Sequence, residues 1–407
     1  IDLTQFVAGP TCSRLMAEMG ADVIKVELMP GGDHARQSGL RTKKEEIKHS
    51  TQSTYFAQHN HSKRSLAIDL KSKQGQIIIK KLIEKSDVLV ENFAPGVIGR
   101  LGLAYEEVNR INPRIIMCSI SFAGQDGPLA GEPGFDYMAA AYAGITEMIG
   151  ESDRGPSQVS MAVGDSATGL SACMAVTAAL LHRERTGEGQ FIDCSLLDTY
   201  LQMHEDFIPR VGLRGKAALP KRSGSQHPNG GPTGIFHCGD GSYLQMMIMP
   251  YQWPRLLEAI GMAELENDPR FNSPRQRREN KFELQDIIEH WMKSVGSRQK
   301  ILTILKNKRV PVAPVLTLDE TINHPHTLQR GAIRQLDDPH IGNFPIPGQP
   351  PLFSNWLYNK NLKAPLLGEH NEEILTDICG LDKNEISSLY KNKVITADKT
   401  LKSTPKK

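Results

Sequence analysis

The sequence predicts an α/β protein, with a large domain around a parallel sheet and a smaller α+β domain. Three observations carry this. Short apolar or β-branched runs alternate with helical patterns through the first third of the chain. A stretch rich in Gly, Ser, Pro and Asn, from Pro220 to Pro232, then changes the character of the sequence. The chain has 407 residues, more than one typical domain.

The elements follow in order. Ile1 to Leu3 reads as the end of a strand, and the loop Gln5 to Pro10 leads into a helix over 11–19 that Gly20 closes. Strands are predicted over 22–27, 65–70, 87–91 and 115–119. Ile77, Ile78, Leu82 and Ile83, with lysines between them, place an amphipathic helix over 74–85. Strands separated by helices imply βαβ units, whose ligands bind at the carboxyl ends of the strands. Beyond Pro232, Gly239-Asp240-Gly241 predicts a hairpin turn between strands at 234–237 and 243–248. Helical patterns follow over 254–260 and 282–295, a Pro-rich segment winds over 339–351, and an amphipathic helix over 371–378 closes the fold.

Composition excludes several classes. A net charge of +2, spread along the chain, argues against nucleic acid as a partner. The terminal lysines Lys399, Lys402, Lys406 and Lys407 read as a disordered end. The six cysteines form no CxxC pair, and His49, His59 and His61 match no metal spacing, so no metal is expected. Free thiols fit a reducing, cytoplasmic setting. No apolar run is long enough to span a bilayer, since Ser171 and Thr177 interrupt the longest, so no membrane partner is expected. The chain opens inside an apparent strand with no Met, so the expected N-terminus lies further upstream, where a removed targeting peptide remains open.

The most informative segment is Val163-Gly164-Asp165-Ser166-Ala167-Thr168-Gly169, which opens a small-residue helix running to about His182. A carboxylate there faces free N–H groups and the positive end of the helix dipole. It reads either as a nucleophile able to form a covalent acyl intermediate or as a helix N-cap. The loop Val7-Ala8-Gly9-Pro10 admits a ligand close to the backbone, but lacks GxGxxG, and no GxxxxGK[ST] occurs. Lys63, Arg64, Lys71 and Arg100 lie near strand ends and suit phosphates, or a solvated surface. Asn92 and Phe93 follow a strand and precede the Pro95-Gly96 turn, so they face the ligand edge of the sheet. Asn229-Gly230-Gly231-Pro232 reads as a lid or as a plain linker.

Together these segments resemble the family III CoA-transferases, the group that includes formyl-CoA:oxalate and carnitine CoA-transferases. The carriers are Asp2-Leu3-Thr4 with Ala8-Gly9-Pro10, the run Gly20 to Glu27, Asn60 with Lys63-Arg64-Ser65, Glu91-Asn92-Phe93 with Pro95-Gly96, Gly164-Asp165, Arg185-Thr186-Gly187 with Gly189-Gln190, and Pro365 to His370. The resemblance implies a Rossmann-like large domain built from both chain ends, with a small domain between them, and two ring-shaped protomers interlocked as a homodimer. The implied division is 1–215 with the nucleophile, 216–325 with the glycine loop, and 326–407 returning to the large domain.

It also implies roles. Asp165 matches the aspartate that forms an acyl anhydride, an aspartyl-CoA thioester and a second anhydride. Val7, Ala8, Lys71, Asn92, Phe93, Arg100 and Tyr137 fall where the family contacts CoA, and Gly230 and Gly231 on its glycine loop. Coenzyme A enters as substrate, with no tightly bound cofactor, and the partners are an acyl-CoA and a small carboxylic acid, with succinyl-CoA the expected donor. Gln5, His204, Gln226 and His227 are candidates for the acyl pocket. Formyl-CoA members carry Gln at the position of Val7 and Arg at that of Leu28, and a longer glycine run, so the acceptor acid is left open. The same fold holds α-methylacyl-CoA racemases, which need a His–Asp pair of bases. Here the corresponding segment is Gly134-Phe135-Asp136-Tyr137, and Phe135 cannot exchange a proton. A non-catalytic CoA-binding protein on this scaffold is a third reading.

Overall fold

The computed structural model describes residues 1–42, 44–48, 50–228, 230–355 and 362–403. His49, Asn229, Lys406 and Lys407 lie outside the described residues. The chain divides into two compact units: Ile1–Ala143, Ser160–Met203 and Pro325–Lys407 form the first, Gly144–Val159 and His204–His324 the second. The expected breaks after 215 and 325 thus compare with breaks after Met203 and His324. Gly144–Val159, placed by the sequence in the first domain, belongs to the second unit. Hydrogen bonds within that unit account for this: Gly224 N donates to Gly150 O at 3.0 Å, and the Arg222 side chain donates through Nη1 to Glu147 O at 3.1 Å.

The first unit is built on parallel strands β1 (Ile24–Leu28), β2 (Arg64–Ile68), β3 (Val88–Glu91), β4 (Ile116–Ser121) and β5 (Gln190–Ser195). β1 pairs with β2, and β3 with β4 and β4 with β5, all parallel. The N-terminal segment joins the two groups. Asp2 N donates to Ile24 O at 2.8 Å on one side, and Leu3 N to Val90 O at 2.8 Å on the other. With that segment counted as the first strand, the sheet order is 3-2-1-4-5-6, the Rossmann order, whose switch point lies between the N-terminal segment and β3. β4 is buried along its whole length, as a parallel strand covered on both faces must be. One face packs Leu66, Ile79, Leu82 and Met117 with the C-terminal residues Ile374 and Leu389. The other packs Cys12, Leu15, Cys118, Ile120 and Val176.

The first unit draws on both chain ends, but the named strands of its sheet all come from the first 195 residues, which corrects the expectation only for the sheet. The C-terminal part returns with helices Asn371–Asp377 and Lys383–Lys391 and docks on β2: Ala67 N donates to Asn371 Oδ1 at 2.9 Å, His370 N to Ser65 O at 3.1 Å, and Ile395 forms an isolated antiparallel bridge with Ile68. The Pro-rich segment is not irregular: β9 (Ile333–Asp338) and β10 (Gly342–Pro347) form an antiparallel pair. Pro345 and Pro347 hid it, since proline is confined to strands with a free edge. Lys399–Ser403 forms a 3₁₀ turn where a disordered end was expected.

The helix Val163–Thr186 is 24 residues long, extending past the expected end at His182 to a left-handed Gly187. By length and composition it would pass for a membrane span, against the expectation that no run is long enough. Core helices of soluble proteins pass the same test, and its inner face packs on the helix Ala8–Glu18. A Cβ at Gly169 would lie 2.6 Å from Ala8 O, so only glycine permits this approach.

The second unit packs an antiparallel sheet, β6 (Thr233–His237), β7 (Tyr243–Met247) and β8 (Val312–Pro314), against helices Trp253–Ile260, Lys281–Val295 and Arg298–Asn307. Phe236, Leu244, Met246, Leu256, Ile288 and Leu305 form its core. The Gly239-Asp240-Gly241 hairpin stands where the sequence puts it, with Gly241 at φ 84°.

Candidate active site

A cavity of about 350 Å³ opens at the carboxyl end of the sheet, at the switch point. Gln5, Phe6, Val7 and Ala8 form one wall, Asn92, Phe93 and Pro95 a second, and Phe135, just before the helix Asp136–Tyr142, and Asp165, in the first turn of its own helix, also line it.

Its first wall is fixed from below by buried charge. The Asp2 carboxylate accepts from Thr4 N at 2.8 Å, Ser13 Oγ at 2.7 Å and Lys63 Nζ at 2.9 Å. Burial alone would raise this carboxyl, but Lys25 and Lys63 hold it well below the usual carboxylate range. Lys25 Nζ also pairs with Asp33 at 2.9 Å and donates to Thr4 O. Asp33 Oδ1 in turn accepts from Phe6 N at 3.1 Å, holding Phe6 at φ 65°. The Asp2-Leu3-Thr4 and Lys63 motifs therefore shape the loop from beneath it.

Asn92 bridges the two walls. Its Oδ1 accepts from Gln5 N at 2.7 Å and its Nδ2 donates to Gln5 O at 2.8 Å. Asn92 lines the cavity, but its side-chain amide is committed to the loop backbone. Glu91, fully buried, accepts from Phe93 N at 2.8 Å, and burial pushes its carboxyl up to about 7. Phe93 is thereby held with one side on the core and the other on the cavity.

Asp165 is the third residue of its helix; Ala162 is the cap and makes no side-chain capping bond. The N-cap reading of Asp165 therefore fails on position. The terminus is capped from elsewhere: Asp165 N donates to Asp136 Oδ2 at 2.7 Å, and Gly164 N to Tyr200 Oη at 3.0 Å. Tyr200 Oη donates to Asp136 Oδ1 at 2.5 Å. Burial and this bond push the Tyr200 phenol up, so it stays a proton donor. Burial, and after it the Asp136 carboxylate, push Asp165 up to about 7. A Cβ at Gly164 would come 2.2 Å from the Tyr200 ring. Gly164 thus makes room for that ring.

The structure brings together Val7, Ala8, Asn92, Phe93 and Asp165 around one cavity. Lys71, after β2, and Arg100, after β3, are exposed at the same carboxyl edge and outside the lining. Tyr137 is 40% exposed, with Oη donating to Ser160 O at 3.3 Å, and is also outside it. Gly230 and Gly231 lie in the second unit, before β6, where a Cβ at Gly231 would come 2.7 Å from Arg277 O. Of the acyl-pocket candidates, Gln5 lines the cavity, while His204, Gln226 and His227 lie in the second unit. Sequence reasoning missed Asp136 and Tyr200 as site residues. A lone acid in the small, apolar segment after Gly134 was the available signal for Asp136; Tyr200 had none.

A Rossmann-ordered sheet with a carboxylate-bearing helix beside its switch-point cavity defines the α/β class of this protein. The model of CoA-transferase family III matches residues 1–371. The chain is 32% identical over 396 residues to succinyl-CoA–D-citramalate CoA-transferase of Chloroflexus aurantiacus, covering 97% of this chain and 96% of that protein. It is 32% identical over 401 residues to succinyl-CoA:glutarate CoA-transferase of Mus musculus, covering 98% and 90%. The crystal structure of a CAIB/BAIF family protein from Brucella suis superposes with a TM-score of 0.80 at 32% identity, covering 92% of this chain and 97% of that one. The chain belongs to CoA-transferase family III and is a CoA-transferase.

Proposed function

We propose that this enzyme moves CoA from succinyl-CoA to a second small dicarboxylic acid, with Asp165 as covalent carrier. The observation that carries the reading is Asp165 itself, on the first turn of its helix and on the wall of the switch-point cavity. The relatives named for succinyl-CoA with citramalate and with glutarate support the acid class.

The chemistry balances as follows. Ionised Asp165 attacks the thioester carbonyl, the C–S bond breaks, and CoA leaves as thiolate while a mixed anhydride forms on Asp165. The thiolate attacks the Asp165 carbonyl and releases the donor acid, leaving an aspartyl-CoA thioester. The acceptor carboxylate attacks that thioester, giving a second anhydride and the thiolate again. Attack of the thiolate on the acceptor's carbonyl forms the new acyl-CoA and frees Asp165. Asp136 and Tyr200 take up the N–H groups of Asp165 and Gly164, so they position the turn that carries the nucleophile. Val7, Ala8 and Phe93 hold the pantetheine arm, Lys71 and Arg100 take the phosphates at the outer edge, Tyr137 lies beside that path, and Gly230 and Gly231 cover the intermediate. Phe135, 65% exposed and on the cavity wall, offers no base, which favours transfer over racemisation. The interlocked homodimer and a cytoplasmic location, supported by six unbridged cysteines, complete the reading.

The test is chemical trapping. Incubation with succinyl-CoA leaves an adduct on the peptide containing Asp165, which hydroxylamine converts to a hydroxamate. Asp165→Ala folds, binds CoA and transfers nothing. A label on a cysteine, or transfer at the wild-type rate in Asp165→Ala, refutes the assignment.

A further inference from the structure

The second unit contains a cavity of about 640 Å³ lined by residues of that unit alone. Six of its lining side chains are cations: Arg210, Arg214, Lys221, Arg222, Arg278 and Lys281; none is acidic. Two are neutralised from outside the lining, Arg210 by Asp206 at 2.5 Å and Arg222 by Glu147 at 2.5 Å. Arg214, Lys221 and Arg278 have no ion-pair partner among the described residues. Lys281 makes only a long bond, its Nζ donating to His227 O at 3.4 Å, and its ammonium lies 5.2 Å from the Phe282 ring centre.

A solvated surface spreads like charges apart; this one gathers them on a concave wall. Clefts lined by one sign focus the field and concentrate ions of the other. Four of the six are guanidiniums, whose planar forks pair with phosphate oxygens two at a time. The rings of Phe207 and Phe282 complete the wall and offer faces on which a base can stack. The volume exceeds the needs of a single inorganic ion and matches those of a small organic ligand.

We infer that the second unit carries its own binding site for a phosphorylated organic anion of nucleotide size, separate from the CoA thioester site of the first unit. Phosphates lie among Arg214, Arg278 and Lys221, and the flat part of the ligand rests against the Phe rings. The site needs no chemistry; it binds.

The experiment is calorimetric titration of the full-length enzyme, saturated with CoA so that the thioester site is filled. ATP, ADP, pyrophosphate and succinate are the separate titrants. ATP and ADP bind saturably, pyrophosphate binds more weakly, and succinate gives no saturable heat. Arg214→Ala and Arg278→Ala each weaken ATP at least about tenfold, the value of one charge-assisted contact. Arg278→Lys, which keeps the charge, loses less. Both arginines are exposed and unpaired, so their removal leaves the fold intact, as the thermal transition checks. Absence of saturable binding in CoA-saturated enzyme, binding indifferent to both alanine substitutions, or binding by succinate alone overturns the proposal.

Discussion

Asp136 accepts the backbone N–H of Asp165 at 2.7 Å, so one buried carboxylate positions the helix turn that presents another. The first carboxylate raises the second, adding to the larger effect of burial, and Asp165 reaches about 7. In the proposed mechanism transfer requires the ionised form, so the acid limb of kcat/KM against pH, which reports the free enzyme, should have an apparent midpoint near 7. Asp136→Asn keeps an acceptor for the Asp165 N–H and removes the charge. Its acid limb should move to lower pH, short of the ordinary carboxylate range because burial persists. An unmoved limb would separate it from Asp165.

The same shift fixes a stability trend. Folded Asp165 holds its proton to about pH 7, whereas an unfolded aspartate releases it near 4. The unfolded state therefore binds fewer protons between those values, and stability falls as pH rises through the window. Asp165→Asn abolishes the penalty. At pH 8 it should match or exceed the wild type in stability, by no more than about 4 kcal/mol, and the gap should close below pH 4. Urea melts at both pH values measure it.

Gly164→Ala drives a methyl into the Tyr200 ring, 2.2 Å away before relaxation. Displacing that ring breaks its bonds to Asp136 and Gly164 together. The expected cost is about 1–3 kcal/mol of stability and at least a hundredfold in kcat. Tyr200→Phe, which loses the hydroxyl alone, should cost about 1–2 kcal/mol and less activity. Equal activity in both variants would show that the ring's place is immaterial.

Lys71→Ala and Arg100→Ala should raise KM for the acyl-CoA about five- to tenfold and leave kcat within twofold. In the proposed function these residues hold the phosphates and not the reacting carbonyl, and lost uniform binding appears in KM. A collapse of kcat at unchanged KM would move these residues to the reacting centre.

The proposed interlocked homodimer should persist on dilution, because such rings would separate only by unfolding. Mass photometry at nanomolar protein should show one dimeric species, and a monomer peak would rule out interlocking.

Local pattern determined much of this protein. The β-branched runs, the lysine-flanked amphipathic helix and the Gly239 hairpin all stand within a few residues of where spacing places them, because hydrophobic period and turn residues act over short range. The order of motifs determined the family, and with it Asp165 as the residue to examine. The tertiary structure alone decided the rest. Proline concealed the β9–β10 pair, and the joining of Gly144–Val159 to the second unit depends on partners about seventy residues away. The helix start is satisfied by Asp136 and Tyr200, from 29 and 36 residues off, leaving the Asp165 side chain on the cavity wall. A sequence records which side chains can cap, pair or ionise. Which of them do is fixed by distance and burial, and those exist only once the chain has folded.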